Sequence, residues 1–108
     1  MMTTTSKIYL VTRSDLSYGQ RAVQAAHSLH EFMETNRGVY DSWVRQSRTL
    51  AILEASDEKA LSDISERARV RGVPLAEFHE PDCGMELTAV ALGPTGKGLV
   101  RRLPLAFS

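Results

Sequence analysis

The sequence predicts a three-layer α/β/α sandwich built on a four-stranded mixed sheet. Two observations carry that expectation. Short runs of β-branched and other apolar residues, KIYLVT at 7–12, TLAILE at 49–54, LAEFH at 75–79 and ELTAVAL at 86–92, alternate with longer segments whose apolar residues recur at helical spacing. The last two runs are separated only by Glu80 to Met85, too short a connection to hold a crossover helix, so those two strands should be antiparallel neighbours.

The first run leads into a polar loop at 13–19 and then into an alanine-rich helix. Along that helix Gln20, Gln24, His27 and Glu31 fall within one stripe roughly 60° wide, because spacings of four, three and four follow the helical repeat. Ala22, Ala25, Ala26, Leu29, Phe32 and Met33 form the opposite face, which is expected to pack on the core while the polar stripe points away from it. Ser17 and Gly19 suit a sharp entry into the first turn. Asn36, Arg37 and Gly38 break the pattern. Tyr40, Trp43 and Val44 then predict a short second helix over 39–47 with Trp43 packed inward. The four consecutive apolar residues of TLAILE suit a strand covered on both faces, and so a central place in the sheet.

Ser56 is the expected N-cap of a third helix, with Asp57 and Glu58 where the helix dipole favours negative charge. Ala60, Leu61, Ile64 and Ala68 give that helix its apolar line, and Gly72 with Pro74 ends it. Gly93 and Pro94 stop the fourth strand, and a last helical turn is expected within 97–103.

A chain of 108 residues with 43% hydrophobic content reads as one domain over 1–108, with 1–6 as a flexible N-terminal tail. Thirteen basic residues balance thirteen acidic ones, so a nucleic-acid partner would be held by a local basic patch and not by the field of the whole molecule. A lone cysteine, Cys83, rules out an internal disulfide and fits a reducing compartment. No apolar run approaches the roughly 20 residues that span a bilayer, and the first six residues carry no apolar signal segment. The protein is therefore expected in the cytoplasm and off the membrane.

Several apparent motifs fail. GPTGKG at 93–98 has two residues between its first glycines and a glycine after the lysine, whereas a phosphate loop needs four and a Ser or Thr. Cys83 with His79 lacks the helix N-terminus or basic cluster that would activate a thiol. Three histidines and one cysteine show no ligand spacing, so no metal and no cofactor is expected. RARVR at 67–71 reads as a solvated helix face.

What remains is the polar stripe together with EPDCGMELTAVALGP at 80–94. Ligands bind beyond the carboxyl ends of parallel strands in open α/β sheets, and the loop after the first strand lies at such an end. Asp82 falls in the turn between the last two strands and Thr88 early in the strand that follows. Each also has a plain reading: Pro-Asp-Cys-Gly as a simple turn, and His27 as a helix residue bonded to a neighbouring carbonyl.

Arg13-Ser14-Asp15-Leu16, Gln24-Ala25-Ala26-His27, Asp82-Cys83-Gly84 and Thr88 to Pro94 (TAVALGP), in this order and spacing, resemble the peptidyl-tRNA hydrolase II family, and more closely its compact bacterial members. The resemblance spans Lys7 to Pro94 and implies the same mixed-sheet fold. It implies hydrolysis of the ester that joins a peptide, or a blocked amino acid, to the 3′ end of tRNA, with peptidyl-tRNA or the tRNA 3′ end as partner. Carried over by position, Asp82 would orient or activate water, Thr88 would assist by hydrogen bonding, and His27 with Gln24 would line the pocket. Gln20, Arg21, Arg13 and Asp15 would bind substrate. Gln20 stands where the family usually has a functional lysine, leaving Arg13, Arg21 or another basic residue to replace that charge. The segments from Leu16 to Gly19 and from Asp82 to Thr88 are also shorter than usual. A non-catalytic domain on the same scaffold, binding tRNA ends, a nucleotide or a protein, is the second reading. A sheet edge or helix face could pair the chain into a homodimer.

Overall fold

The structure is a computed structural model that describes residues 6–108. The chain runs β1 (Lys7–Arg13), α1 (Tyr18–Thr35), α2 (Arg37–Gln46), β2 (Thr49–Ala55), α3 (Glu58–Val70), β3 (Leu75–Glu80), β4 (Glu86–Leu92) and α4 (Lys97–Val100). Short 3-10 turns occupy Pro81–Cys83 and Pro94–Gly96. The sheet order is β2-β1-β4-β3, with β1 and β2 parallel and the other two pairings antiparallel. The α/β fold on a four-stranded mixed sheet is therefore as the sequence predicts. Apart from Ser6, the tail expected over 1–6 lies outside the described residues.

Alternation along β1 divides the core in two. Ile8 and Leu10 pack with Ala25 and Phe32 of α1 and Trp43 of α2. Tyr9 and Val11 pack on the other face with Leu61, Ile64 and Ala68 of α3 and Val100 of α4. Trp43 is buried as expected, and its indole N–H donates to the Thr49 carbonyl at 2.8 Å.

Four expectations are corrected. β2 is an edge strand, not a central one; β1 and β4 hold the centre. It reads as covered because the C-terminal segment lies along its open side: Glu54 N–H donates to Pro104 O at 3.1 Å, Ala106 N–H to Ile52 O at 2.9 Å, and Leu105 bridges to Leu53. The break between α1 and α2 is Asn36 alone, and Gly38 sits inside the first turn of α2. The N-cap of α3 is Asp57, whose carboxylate accepts from Ala60 N–H at 2.9 Å; strand β2 runs one residue further than the sequence suggests and the helix starts one residue later, so Ser56 precedes the cap.

The fourth correction concerns α1. Its buried residues are Gln24, Ala25, Ser28 and Phe32, while Ala22 and Ala26 are exposed. Relative to the expected apolar face the helix is rolled by roughly 90°, which brings one edge of the polar stripe onto the sheet. Burial of these polar groups is tolerated because each finds a partner: Ser28 donates to Ala25 O at 2.8 Å, and Gln24 bonds to two strands.

Gly96 marks where α4 closes on the sheet. A Cβ there would lie 2.9 Å from Leu92 Cβ and 3.3 Å from Val73 Cγ1, so neither backbone can relax cheaply. Gly96→Ala is expected to destabilise by about 1–3 kcal/mol, seen in urea unfolding as a lower midpoint at unchanged slope.

Candidate functional site

The site is built around an irregularity in β4. Leu92 and Val90 face α3 and Ala91 faces α1, as alternation requires. Continued regularly, Thr88 would face α3. Instead the β3 register jumps from Phe78↔Ala89 to His79↔Leu87, leaving Thr88 unpaired as the extra residue of a β-bulge. Leu87 thereby joins the α3-side core, and the Thr88 side chain turns to α1.

Side chains hold the backbone at this irregularity. The Thr12 hydroxyl donates to Thr88 O at 3.1 Å, the Arg13 guanidinium to Leu87 O at 3.2 Å, and the Leu87 N–H donates to the Glu58 carboxylate at 2.9 Å. Thr12 and Thr88 are fully buried.

On the α1 face, Thr88 Oγ1 donates to Gln24 Oε1 at 2.8 Å, and Gln24 Nε2 donates to Glu80 Oε1 at 3.0 Å. The carboxylate of Glu80 can only accept, so it fixes which end of the Gln24 amide faces the threonine. Phe78 O, at 3.3 Å, is the second acceptor within reach of the Thr88 hydroxyl, and the shorter contact is the one to Gln24. One turn along α1, His27 lies flat on Phe78 of β3, with ring centroids 4.4 Å apart and planes at 12°. No hydrogen bond of the His27 ring to a carbonyl is found among the described residues.

One turn toward the N-terminus from Gln24, Gln20 is exposed at the mouth of the same stripe. Ser17 caps α1 there by accepting from the Gln20 N–H at 3.2 Å. Asp82 is exposed in the 3-10 turn directly after Glu80, where Gly84 and Met85 adopt φ of +65° and +64° to bring the chain back into β4. β3 runs in the same direction as β1, so this turn and the start of α1 lie at the same end of the sheet. Gln20, Gln24, His27, Asp82 and Thr88 are thus gathered at one end.

Arg13 and Arg21 are placed differently. Arg13 is buried, forked onto Asp15 at 2.8 and 2.9 Å and onto Glu86 at 2.6 Å. Its hydrogen bonds to Asp15 raise its already high pKa and lower that of the Asp15 carboxyl. Arg21 donates to the Leu16 carbonyl at 2.8 Å, to the Ser14 carbonyl and to Glu54 at 3.1 Å, and its guanidinium lies 4.7 Å over the Tyr18 ring. Both cations lock the loop between β1 and α1, so neither is free to supply the charge that a lysine at position 20 would carry. Arg13 and Asp15 satisfy each other.

Three contributors were not legible as site residues: Glu80, Thr12 and Phe78. The alternation of β3 already puts Ala76, Phe78 and Glu80 on one side, which was the available signal. Thr12 and the bulge had none. Among the described residues no cluster suited to a metal ion occurs, and no helix is long and apolar enough to cross a membrane.

The family described as "Peptidyl-tRNA hydrolase PTH2" matches residues 6–105. A protein named peptidyl-tRNA hydrolase from Methanocaldococcus jannaschii is 32% identical over 100 residues, covering 82% of this chain and 85% of the relative. One of the same name from Methanopyrus kandleri is 30% identical over 99 residues, covering 82% and 84%. A solved structure of a protein of unknown function from Agrobacterium tumefaciens superposes with a TM-score of 0.70 over 95% of this chain and 98% of its own, at 13% identity, a likeness of fold alone.

The Arg13–Asp15 fork predicts an acid limb in the stability profile. A carboxyl whose folded pKa is depressed stabilises the fold above its ordinary pKa, about 3.9, and loses that contribution as pH falls through the folded value. Asp15→Asn should therefore be less stable than the wild type at pH 7, with the gap closing as pH falls below the ordinary carboxyl value and through the depressed folded one. Urea unfolding at pH 7 and across that fall measures both.

Proposed function

Because the chain belongs to the peptidyl-tRNA hydrolase PTH2 family and is a peptidyl-tRNA hydrolase, we propose that its ester-cleaving site is the end of the sheet where Gln24, Thr88 and Glu80 meet beneath Asp82 and His27. The observation that carries this reading is the oriented Gln24 amide, which commits the buried Thr88 hydroxyl to donate in one direction. A buried polar chain of this kind is satisfied without substrate and holds the side chains around it in one arrangement.

In the proposed reaction Asp82 accepts a proton from a water whose oxygen adds to the ester carbonyl carbon. Thr88, fully buried, assists by hydrogen bonding at one remove, holding the Gln24 amide that lines the pocket. The exposed Gln20 amide donates to the terminal ribose or phosphate, and His27, flat on Phe78, walls the pocket and donates toward the developing oxyanion. Collapse of the tetrahedral intermediate breaks the bond to the ribose oxygen, which takes up the proton, releasing free peptide and tRNA. Arg13, Asp15 and Arg21 act at one remove, by fixing the loop that starts α1.

The short Leu16–Gly19 and Asp82–Thr88 connections support placing the chain among compact bacterial-type members, although the relatives above are archaeal. A peptidyl-tRNA substrate supports a cytoplasmic location.

Incubation with a peptidyl-tRNA tests the reading. Asp82→Ala is expected to lower kcat by about 10²-fold or more, the usual scale for a lost general base, with KM little changed; cleavage that survives intact would sink the assignment. In a separate comparison, Gln20→Lys should lower KM for the full substrate, since an ammonium attracts the terminal phosphates more strongly than a neutral amide. An unchanged KM would show that position 20 does not meet them.

A further inference from the structure

The end of the molecule that carries the proposed site is a poor place to hold RNA. Asp15, Glu54, Glu80, Asp82 and Glu86 gather there, and its two arginines are already neutralised. The chain as a whole has no net charge. Attraction for a polyanion must therefore come from a local excess of cations elsewhere.

One such excess exists among the described residues. Arg67 of α3 and Arg101 and Arg102, just past α4, line a single open cleft of about 340 Å³ with Leu99 and Leu103, and no carboxylate lines it. All three arginines are exposed, and none is within ion-pair distance of an acidic side chain among the described residues. Arg71 and Lys97 on the same two elements are likewise without a carboxylate partner there. By contrast Arg37, Lys59 and Arg69 are each paired, and Arg45 and Arg48, at and just after the end of α2, though without an ion pair among the described residues, lie away from the elements of this cleft. Like charges collected round one cleft repel one another, and only an anion relieves that repulsion.

We propose that this cleft is a second RNA-binding surface, which grips the phosphate backbone of the tRNA stem away from the ester. The proposal rests on the peptidyl-tRNA hydrolase reading above. Guanidinium forks match phosphate oxygens in pairs, and three of them suit consecutive phosphates. The cleft lies on the α3 side at the β2 edge of the sheet, because Pro104 and Leu105, directly after its residues, pair with Glu54 and Leu53 of β2. The turn bearing Asp82 follows β3, at the opposite edge. Three strand spacings, roughly 15 Å, separate the two edges, so the cleft lies to one side of the reacting ester. A tRNA presents its acylated ribose on a short single strand and its stem phosphates beyond it, which suits two binding surfaces set apart in this way.

The test uses Arg67→Gln combined with Arg101→Gln and Arg102→Gln in the full chain. Binding of deacylated tRNA, measured by fluorescence anisotropy across a salt series, needs no catalysis. The triple variant should bind about tenfold or more weakly, with the slope of log affinity against log salt reduced by about one for each phosphate that the variant no longer neutralises. Arginine-to-lysine replacements at the same three positions should keep most of that slope. With peptidyl-tRNA, KM should rise while kcat holds. With a peptidyl-adenosine ester, which has no stem, neither should change. An unaltered tRNA affinity and salt slope, or equal losses on both esters, would overturn the proposal, as would weakened binding of polyglutamate alone. If the wild type cleaves neither ester yet binds tRNA through these arginines, the hydrolase reading falls and the RNA-binding surface stands.

Discussion

One extra residue in β4 decides what each side of this sheet contains. Because Thr88 is unpaired against β3, the strand changes parity between Leu87 and Ala89. The leucine completes the α3-side core, and the threonine becomes available to α1. A bulge disrupts its ladder, so the backbone beside it must find other partners. Thr12, Arg13 and Glu58, from β1 and α3, supply them. The polar patch between α1 and the sheet is thus held by three side chains from two separate elements, and it exists only while both are docked. The roll of α1 follows from the same constraint: with a hydroxyl presented at Thr88, Gln24 gains more by facing the sheet than by facing water.

The cations of the chain divide by task. At the end bearing the proposed ester site, guanidinium groups are used as struts, each tying a short loop to carboxylates and carbonyls. That end has little free positive charge, so under the proposed reading its chemistry would fall to amides, a hydroxyl, an imidazole and a carboxylate. Binding and bond cleavage would then be separable properties of different surfaces.

Much of this was legible in the sequence, for identifiable reasons. Elements with a clean period, such as β1, α3 and the β3–β4 pair, follow directly from alternation, helical spacing and connection length. The gathering of Gln20, Gln24 and His27 on one stripe also follows, because it depends only on helical spacing. What could not be read was orientation about the helix axis. Alanine is equally at home on a core or in water, so Ala22 and Ala26 give α1 an apparent core face that the structure leaves exposed. Likewise an edge strand shielded by distant chain has the composition of a central one, and β2 reads accordingly. The roles of Arg13 and Arg21 were hidden for a related reason: whether an arginine is free or committed depends on carboxylates far off in sequence, here Glu86 and Glu54.

The C-terminal segment that covers β2 ends with Phe107 edge-on to Tyr18, at 5.6 Å between ring centroids. Residues 104–107 therefore close the outer edge of the sheet and brace the start of α1. Until this segment docks, β2 presents open backbone donors and acceptors beside Leu50 and Ile52, the kind of edge on which chains pair with one another. Docking of one short segment is thus also the event that protects this edge from self-association.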